Sequence, residues 1–521
     1  MADVAAERPG ATAAPVAPAA APRAATTTGD VDVTGLLEWA RRRDPARWAL
    51  GGMIAVWALT FFLLGKLRHD RFGTFSFDLA IYDQGVWLLS QFKDPFVTIR
   101  GLDLFGHHMN LFLLALAPFY RLFGWGTEFL LLVQVASQAL GAVAVFLLAR
   151  DRLADRWLAV AMAAVLLLNP TYQFLVWEYF HPDAVAIGPV LFAYWAARAK
   201  RWRWFAVAAV AAVLCKEDVA LVIVAMGLLI AARRDPRVGL ITAAIAAAWY
   251  GLATRVMMPA FLGGMSPFYD QFFGDLGSNA GEVVRTALTK PGKVFDLATQ
   301  PDRMSYLRLI FGPVAFLPLL SFSSFAIAVP IVVVNLLSTY PYTRDYRYHY
   351  SSLIVAAVMV ATVEAIARVG RKPAARRFLV GAVVATTFGA TVAWGPSPVG
   401  IKFRSGFWPL DPNPRTTAMG AAVAIIPKDA AVSAVFSLSP HLAQRTRIYD
   451  FPEPWRHVNW GIDGENLHDP NVVEWIAVDT QVLSEEDRRL IDTLRGGEFQ
   501  VRLDQDGILV MERVRAGPSR R

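Results

Sequence analysis

The chain has almost no cysteine: Cys215 is the only one in 521 residues. A single cysteine cannot form an intrachain disulfide, and a zinc site built from cysteines is excluded as well. Cys215 lies inside an apolar stretch, where a thiol behaves as a small hydrophobic side chain. Any chemistry of this protein must therefore come from other residue types.

Charge is also scarce. Only 18% of the residues are charged, 55% are hydrophobic, and the mean hydropathy is +0.38. This composition, with its repeated long apolar runs, is typical of integral membrane proteins. The net charge of +8 does not indicate nucleic-acid binding, because lysine and arginine collect in the cytoplasmic loops of membrane proteins. No nucleic-acid-binding motif is found, and we expect no nucleic-acid partner.

A secretory signal peptide is not recognisable at the start of the sequence. The first apolar run begins near Trp48, behind the basic sequence RRRDPAR, and no small-residue cleavage site follows it. Residues 1–46 are rich in alanine and proline and are predicted to form a disordered cytoplasmic tail, because such a composition cannot bury a core. We expect an uncleaved first span that leaves the N-terminus in the cytoplasm.

The apolar runs predict about eleven transmembrane helices within residues 47–395. The run 204–232 is counted as a hairpin of two helices, because Lys216, Glu217 and Asp218 interrupt it and basic clusters flank both of its ends. The spans are predicted near 48–65, 127–149, 157–176, 183–198, the two halves of 204–232, 238–256, 304–320, 323–340, 351–368 and 377–394.

A long first outer loop, residues 66–126, follows from this topology. It is predicted to contain two helices, near 79–92 and 109–123. The second of these is apolar, but if it crossed the membrane every later basic loop would move outside. It is therefore predicted to lie at the membrane interface.

The C-terminal residues 396–521 are predicted to form a small extracytoplasmic α/β domain. Ser484 is positioned to cap a helix, and Asp506-Gly507 is a strong hairpin turn. No glycine-rich phosphate loop and no nucleophile elbow are found in this segment. We interpret it as a lid or a platform for a partner.

Acidic and histidine residues gather on the predicted outer face, whereas arginine clusters mark the other face. In FSFDLAIYDQGVW, Asp78 and Asp83 are candidate general bases. The alternatives are a helix cap for Asp78 and a solvated helix face for Asp83. In GHHMN, His107 and His108 either join one of these aspartates in a metal site or take part in packing and hydrogen bonding.

Two further motifs lie where spans meet the outer face. WEYFHPDA carries Glu178, His181 and Asp183, which are either substrate ligands or caps of the next helix. CKED at 215–218 places three ionisable residues between two apolar stretches. This pattern favours a functional role for Lys216, Glu217 and Asp218 over a purely structural one.

The sequence YPYTRDYRYHY combines aromatic residues with Arg344, Arg347 and His349. Tyrosines are expected at a membrane interface, but two arginines on the outer side run against the usual distribution of basic residues. We therefore predict that they bind an anion, with phosphate as the obvious ligand of a guanidinium group.

Together, FDLAIYDQGVW, GHH, FHPDA, CKED and RYHY resemble a bacterial family of multi-pass membrane proteins, domain of unknown function 2079. The resemblance covers roughly residues 50–395. That family is similar in architecture to the C-type glycosyltransferases (GT-C), which use polyprenyl-phosphate sugars outside the membrane. The resemblance implies a GT-C-like fold and a general base at Asp78, with Asp83 second. This chain has Asp-x4-Asp in place of a close acidic pair, so the cofactor stays open between a divalent metal and none.

The leading hypothesis is an integral-membrane glycosyltransferase of the bacterial plasma membrane. It would move a sugar from a polyprenyl-phosphate donor to an acceptor in the cell envelope, such as a glycan, lipid or protein. Arg347, Arg344 or Lys216 would stabilise the departing phosphate. The other predicted substrate-binding residues are His107, His108, Glu178, His181, Asp183, Glu217, Asp218 and His349.

Two alternatives stay open. One is a lipid or solute transporter, which would gain support if the charges at 216–218 lay at mid-membrane. The other is a non-catalytic assembly protein that keeps the transferase scaffold.

Overall fold

The computed structural model describes residues 44–263, 272–278, 280–457 and 468–514. The chain divides into two units, Met1–Arg47 and Trp48–Arg521. Nearly all of the predicted N-terminal tail lies outside the described residues, and its disorder stays a prediction. All of the architecture described below belongs to the second unit, apart from the first residues of the first helix.

Most of the chain is helical. In the first half of the chain the α-helices are α1 (Pro45–Asp70), α2 (Ile81–Ser90), α3 (Leu104–His107), α4 (Ala117–Phe123), α5 (Thr127–Leu153), α6 (Arg156–Leu168), α7 (Pro170–Trp177), α8 (Pro182–Arg198), α9 (Trp202–Val213), α10 (Val219–Arg233), α11 (Pro236–Leu252) and α12 (Met258–Phe261). The second half contains α13 (Ala280–Thr289), α14 (Pro291–Ala298), α15 (Pro301–Phe311), α16 (Phe322–Phe325), α17 (Val329–Leu337), α18 (Ser352–Val369), α19 (Pro373–Trp394), α20 (Ile401–Arg404), α21 (Pro414–Ile425), α22 (Ser439–Leu442) and α23 (Glu485–Gly496).

Shorter helical turns connect these elements. The π-helical turns are Ser76–Ala80 and Ala253–Met257. The 3-10 turns are Leu111–Ala115, Gly312–Val314, Leu317–Ser321, Ala326–Ala328, Pro341–Arg344, His349–Ser351 and Pro470–Val472.

Six helical stretches are long and apolar enough to cross a membrane, among the residues that the structure describes. A seventh results if α6 and α7, which meet at 46°, are taken as one bent span. The predicted count of about eleven is thus not confirmed. The six stretches are Pro45–Asp70, Thr127–Leu153, Pro236–Phe261, Leu317–Leu337, His349–Val369 and Pro373–Trp394.

The lower count has local causes. The run 204–232 does divide into α9 and α10 around a turn, as its central charges predict. These helices have 12 and 15 residues, so their lengths of ~18 and ~22 Å fall short of a full crossing of ~30 Å. The predicted span 304–320 is not one helix, because Ala315 and Phe316 adopt left-handed backbone angles with φ of 53° and 56°.

The C-terminal segment contains a five-stranded sheet with the order β4-β3-β5-β7-β6. The central β3 pairs in parallel with β4 and β5, whereas β7 pairs antiparallel with β5 and β6. Positive φ values at Asp506 (50°) and Gly507 (84°) form the tight turn predicted between the last two strands. The strands are β3 (Val432–Ala434), β4 (Ile448–Asp450), β5 (Trp475–Asp479), β6 (Phe499–Gln505) and β7 (Ile508–Arg513).

The first loop packs against this sheet and carries a small hairpin of its own, β1 (Phe96–Val97) with β2 (Leu102–Asp103). Beside the hairpin, the Thr98 hydroxyl donates to the carbonyl of Ile448 at 2.6 Å and accepts from its amide at 2.9 Å. The Ser76 amide donates to the Phe436 carbonyl at 2.8 Å. These bonds tie the start and the middle of the loop to the C-terminal sheet.

Candidate active site

Asp78 occupies an unusual backbone position. It lies in the π-helical turn Ser76–Ala80 with φ of 70° and ψ of −71°. Outside glycine such angles cost on the order of 1–3 kcal/mol, and they persist only where the surrounding structure enforces them. A strained aspartate whose side chain remains 18% exposed is a strong candidate for chemistry.

A chain of acids and imidazoles begins at Asp78. Its Oδ2 lies 3.0 Å from Nε2 of His181, and the His181 ring stacks on His349 with centroids 4.0 Å apart. Nδ1 of His349 in turn lies 2.8 Å from Oε1 of Glu178. His181 and Glu178 are almost entirely buried, whereas Asp78 and His349 line a cavity, so the Asp78 carboxylate contacts His181 and remains open to the cavity.

The charges of this chain follow from its burial. Burial raises the pKa of Glu178 well above its usual range. Burial alone lowers the pKa of His181, but the adjacent Glu178 and Asp78 raise it to about 9. The contact with the Asp78 carboxylate thus favours the protonated form of His181, and a metal ion bound at the same nitrogen would have to displace that proton.

The same group has the donor set of a divalent metal site. Asp78, His181 and His349 each offer one ligand atom, and these atoms lie within 4.8 Å of one another. Imidazole nitrogens combined with a carboxylate suit zinc and similar transition metals. The sequence predicts a metal site that joins one of the aspartates to His107 and His108, whereas in the structure Asp78 lies beside His181 and His349, which belong to two other motifs.

The CKED turn supplies a second group of charged side chains to the same cavity. Nζ of Lys216 lies 3.2 Å from Asp183 and 3.4 Å from Asp218. Burial lowers the pKa of Lys216, but these carboxylates, Asp183 first, raise it well above its ordinary value. Burial raises the pKa of Asp218 to about 6, against the opposing effect of Lys216. The turn thus holds a buried ammonium between two acids.

Glu217 joins the turn to the first loop. Its Oε1 lies 2.9 Å from Nδ1 of His108, and its Oε2 accepts from the Met109 amide at 3.0 Å. The pair holds the GHH motif beside the CKED turn.

These motifs surround one cavity of about 370 Å³. Among the residues predicted from the sequence, the cavity is lined by Asp78, His107, His108, Asp183, Lys216, Glu217, Asp218 and His349. The rest of the wall combines tyrosines with an apolar strip that includes Tyr82, Tyr250, Tyr340, Tyr350, Leu221, Leu262, Ile331, Val334 and Leu353. A cavity whose wall contains both charged groups and apolar side chains suits an amphipathic ligand.

Three predicted residues lie elsewhere. Asp83 is buried and accepts from the Tyr120 hydroxyl at 2.7 Å, and burial raises its pKa to about 6. Arg344 pairs with Asp302 at 2.7 Å. Arg347 pairs with its near neighbour Asp345. None of the three lines the cavity, and their predicted roles receive no support from their positions.

Sequence reasoning missed Arg255, which lines the cavity from the π-helical turn that follows α11. Its side chain is exposed, and the described part of the chain gives it no carboxylate partner. A signal was present, because Arg255 follows an apolar run at the end opposite to Arg233, Arg234 and Arg237. A basic residue at the end of a span opposite to the arginine clusters is the same kind of signal as Arg344 and Arg347.

Comparisons with known proteins agree with this architecture. The profile of the family described as "Predicted membrane protein (DUF2079)" matches residues 68–510 and therefore includes the C-terminal sheet. The crystal structure of ArnT from Cupriavidus metallidurans bound to undecaprenyl phosphate is similar, with a TM-score of 0.52 and 12% identity over 89% of this chain and 98% of that chain.

The apo structure of the same ArnT aligns with a TM-score of 0.42 at 12% identity, covering 90% of this chain and 99% of that one. No curated protein matches the sequence. The ligand-bound ArnT structure therefore shows the fold, and the family and the fold expected from the sequence motifs are confirmed.

Proposed function

Because the chain belongs to the DUF2079 family of membrane proteins and shares the fold of ArnT, we propose that it is a membrane glycosyltransferase with a polyprenyl-phosphate-linked sugar donor. The observation that carries the proposal is a single cavity in which an oriented carboxylate, Asp78, and two cations, Lys216 and Arg255, line the wall together with an apolar strip. The acceptor belongs to the cell envelope, on the side of the membrane that the arginine clusters avoid.

The reaction follows from these positions. Asp78 accepts the proton of the acceptor hydroxyl as the acceptor oxygen attacks the anomeric carbon of the donor sugar. The bond from that carbon to the phosphate oxygen breaks, and polyprenyl phosphate leaves with the bonding electrons. His181, whose Nε2 lies 3.0 Å from the carboxylate, pairs with it as an opposite charge when protonated. A divalent ion, if held by Asp78, His181 and His349, would supply Lewis-acid stabilisation there.

Arg255 is the best ligand for the donor phosphate. Lys216 is already balanced by Asp183 and Asp218, whereas Arg255 is exposed and has no acidic partner in the described residues. A guanidinium group binds phosphate through two parallel hydrogen bonds and stabilises the charge that grows on the leaving group. The apolar strip beside it provides a surface for the polyprenyl chain, and the tyrosines provide faces against which a sugar ring can pack.

Binding of undecaprenyl phosphate tests the donor site. We expect the purified protein in nanodiscs to bind this lipid, and Arg255→Gln to weaken the affinity about tenfold, the effect of losing one charge-assisted contact of ~1.4 kcal/mol. Native mass spectrometry over a lipid titration measures the change.

Arg285→Gln is the matched control, because Arg285 is exposed in a neighbouring helix, α13, and does not line the cavity. Equal affinities of the two variants would remove Arg255 from the donor site. A wild-type protein that does not retain the lipid at all would contradict the proposed donor.

A further inference from the structure

A second cavity lies at the other end of the helix bundle. It has a volume of about 340 Å³ and is lined by five arginines, one glutamate and three serines, together with apolar residues of α10. The arginines are Arg152, Arg198, Arg233, Arg234 and Arg368. Neither the proposed transfer reaction nor the sequence motifs account for this basic pocket.

Three helices fix its position relative to the candidate active site. α8 begins beside His181 and ends at Arg198, and α10 begins after Asp218 and ends at Arg233. α18 follows His349 and carries Arg368 in its last turn. These helices have 17, 15 and 18 residues, so the two sites are separated by roughly 20–30 Å, close to the thickness of the hydrocarbon core.

The floor of the pocket is formed by Glu364, whose carboxylate pairs with two arginines. Oε1 of Glu364 lies 2.8 Å from Nε of Arg198, and Oε2 lies 2.9 Å from Arg152. Both carboxylate oxygens are thus used, and one negative charge faces two half-buried guanidinium groups. The floor therefore retains a net positive charge, because two guanidinium groups face a single carboxylate.

The rim of the pocket adds positive charge that no carboxylate of the described residues balances. Arg233 and Arg234 have no acidic partner within the described residues, and Arg368 is held only by a 3.3 Å bond to the Leu320 carbonyl. Hydroxyl groups of Ser321 and Ser324 stand beside them, 3.2 Å from each other. Five guanidinium groups with adjacent hydroxyls offer the donors that an oxyanion requires.

One edge of the pocket meets the surface that faces lipid. Leu320 and Phe322 alternate in sequence with the pocket serines and are 49% and 59% exposed. Both belong to a stretch that is apolar enough to span the membrane, Leu317–Leu337. A ligand whose phosphate sits among the arginines could therefore extend an acyl or prenyl chain along this edge.

We propose that this basic pocket is a phosphate-binding site on the arginine-rich face of the membrane, distinct from the catalytic cavity. Its ligand is a phosphate ester, carried either by a lipid headgroup or by a soluble molecule. The lipid edge and the net charge of the pocket favour an anionic lipid, whose headgroup would replace solvent around Arg233 and Arg234 and complete the pairing that Glu364 provides only at the floor.

Binding measurements on the full-length protein test the site. The probes are phosphatidylglycerol, phosphatidylcholine as its zwitterionic counterpart, and radiolabelled inorganic phosphate. We expect Arg233→Gln/Arg234→Gln to reduce retention of phosphatidylglycerol in native mass spectrometry at least fivefold. Arg203→Gln/Arg237→Gln, which removes two exposed arginines outside the pocket, should leave it within twofold of wild type.

The two sources of phosphate give different results. Selective loss of phosphatidylglycerol identifies a lipid site, whereas selective loss of saturable inorganic phosphate binding in equilibrium dialysis identifies a soluble ligand. Identical behaviour of the two double variants toward both probes would overturn the proposal.

Glu364→Gln provides an independent variant. This substitution frees Arg152 and Arg198 for the ligand. Whichever probe the wild-type protein binds, phosphatidylglycerol or inorganic phosphate, should therefore bind several-fold more tightly to the variant. Unchanged or weaker binding, in a variant that elutes as a monodisperse species, would show that Glu364 does not face the ligand site and would contradict the proposed floor.

Discussion

At the scale of single residues, the central feature is an aspartate held in a backbone conformation that suits glycine better. The angles of Asp78 are enforced by its neighbours in the fold, since Ser76, two residues earlier, is bound to the C-terminal sheet. His181 fixes the carboxylate, and the cavity exposes it. By contrast, Asp83 satisfies its oxygens with Tyr120 and Thr127 in the protein interior.

This contrast gives a direct prediction for the two aspartates. Asp78→Asn should lower the turnover of a polyprenyl-phosphate-sugar donor by about 10²–10⁴, the usual contribution of a positioned general base. Binding of undecaprenyl phosphate should stay within a few-fold, because Asn keeps the shape of the side chain. Release of polyprenyl phosphate from a bacterial lipid-linked sugar extract measures the turnover.

Asp83→Asn is the matched control and should act mainly on stability, with turnover per folded molecule close to wild type. The reverse pattern, in which Asp83→Asn abolishes transfer and Asp78→Asn does not, would move the base to Asp83.

At the scale of elements, the C-terminal sheet serves to hold the loop that carries Asp78. Ser76 donates its hydroxyl to Oδ2 of Asp450, at the end of β4, with a distance of 2.9 Å. The other oxygen of Asp450 is buried and has no hydrogen-bond partner among the residues that the structure describes. Burial, together with Glu453 and against the Ser76 bond, raises the pKa of Asp450 to about 7.

A raised carboxyl pKa has a definite sign for stability. Between about pH 4 and 7 the folded protein keeps a proton on Asp450 that the unfolded chain has lost. The free energy of unfolding therefore falls as the pH rises through that window. We expect the wild-type unfolding temperature to fall between pH 5.5 and 8, by an amount equivalent to a few kcal/mol at most.

Asp450→Asn should flatten this dependence, since asparagine stays neutral and still accepts from Ser76. Asp504→Asn, an exposed aspartate in β6, is the control and should keep the wild-type slope. Thermal unfolding in detergent at several pH values measures both slopes. Parallel curves for wild type and Asp450→Asn would show that Asp450 does not titrate in this range.

At the scale of the whole molecule, the helices connect two polar ends of opposite character. One end gathers aspartates, glutamates and histidines around the candidate active site, and the other gathers arginines around the basic pocket. Fixed basic residues accumulate on the cytoplasmic side of membrane proteins. This asymmetry predicts that the active site faces away from the cytoplasm.

Cysteine labelling tests this orientation, and the scarcity of cysteine makes it simple. In a Cys215→Ala background, Lys290→Cys should react with an impermeant maleimide in intact cells, because α13 and α14 lie on the predicted outer side. Lys372→Cys, between α18 and α19, should react only after lysis. Both lysines are exposed. The opposite labelling pattern would invert the topology and place the proposed chemistry in the cytoplasm.

The sequence by itself determined what local patterns encode. Hydropathy identified a membrane protein, the charges at 216–218 identified the break between α9 and α10, and Asp506-Gly507 identified the last turn of the C-terminal sheet. The sequence also predicted that the acids and histidines gather at one end of the helix bundle, because each motif borders an apolar run and must lie at a membrane surface.

Only the tertiary structure decided which side chains meet. Asp78 pairs with His181 and Glu178 with His349 across 103 and 171 positions, and such pairings depend on how the helices pack rather than on any local pattern. Packing also turned Arg344 and Arg347 toward nearby acids and left Arg255 in the cavity. A sequence shows which end of a helix a charge occupies. The neighbouring helices determine what that charge contacts.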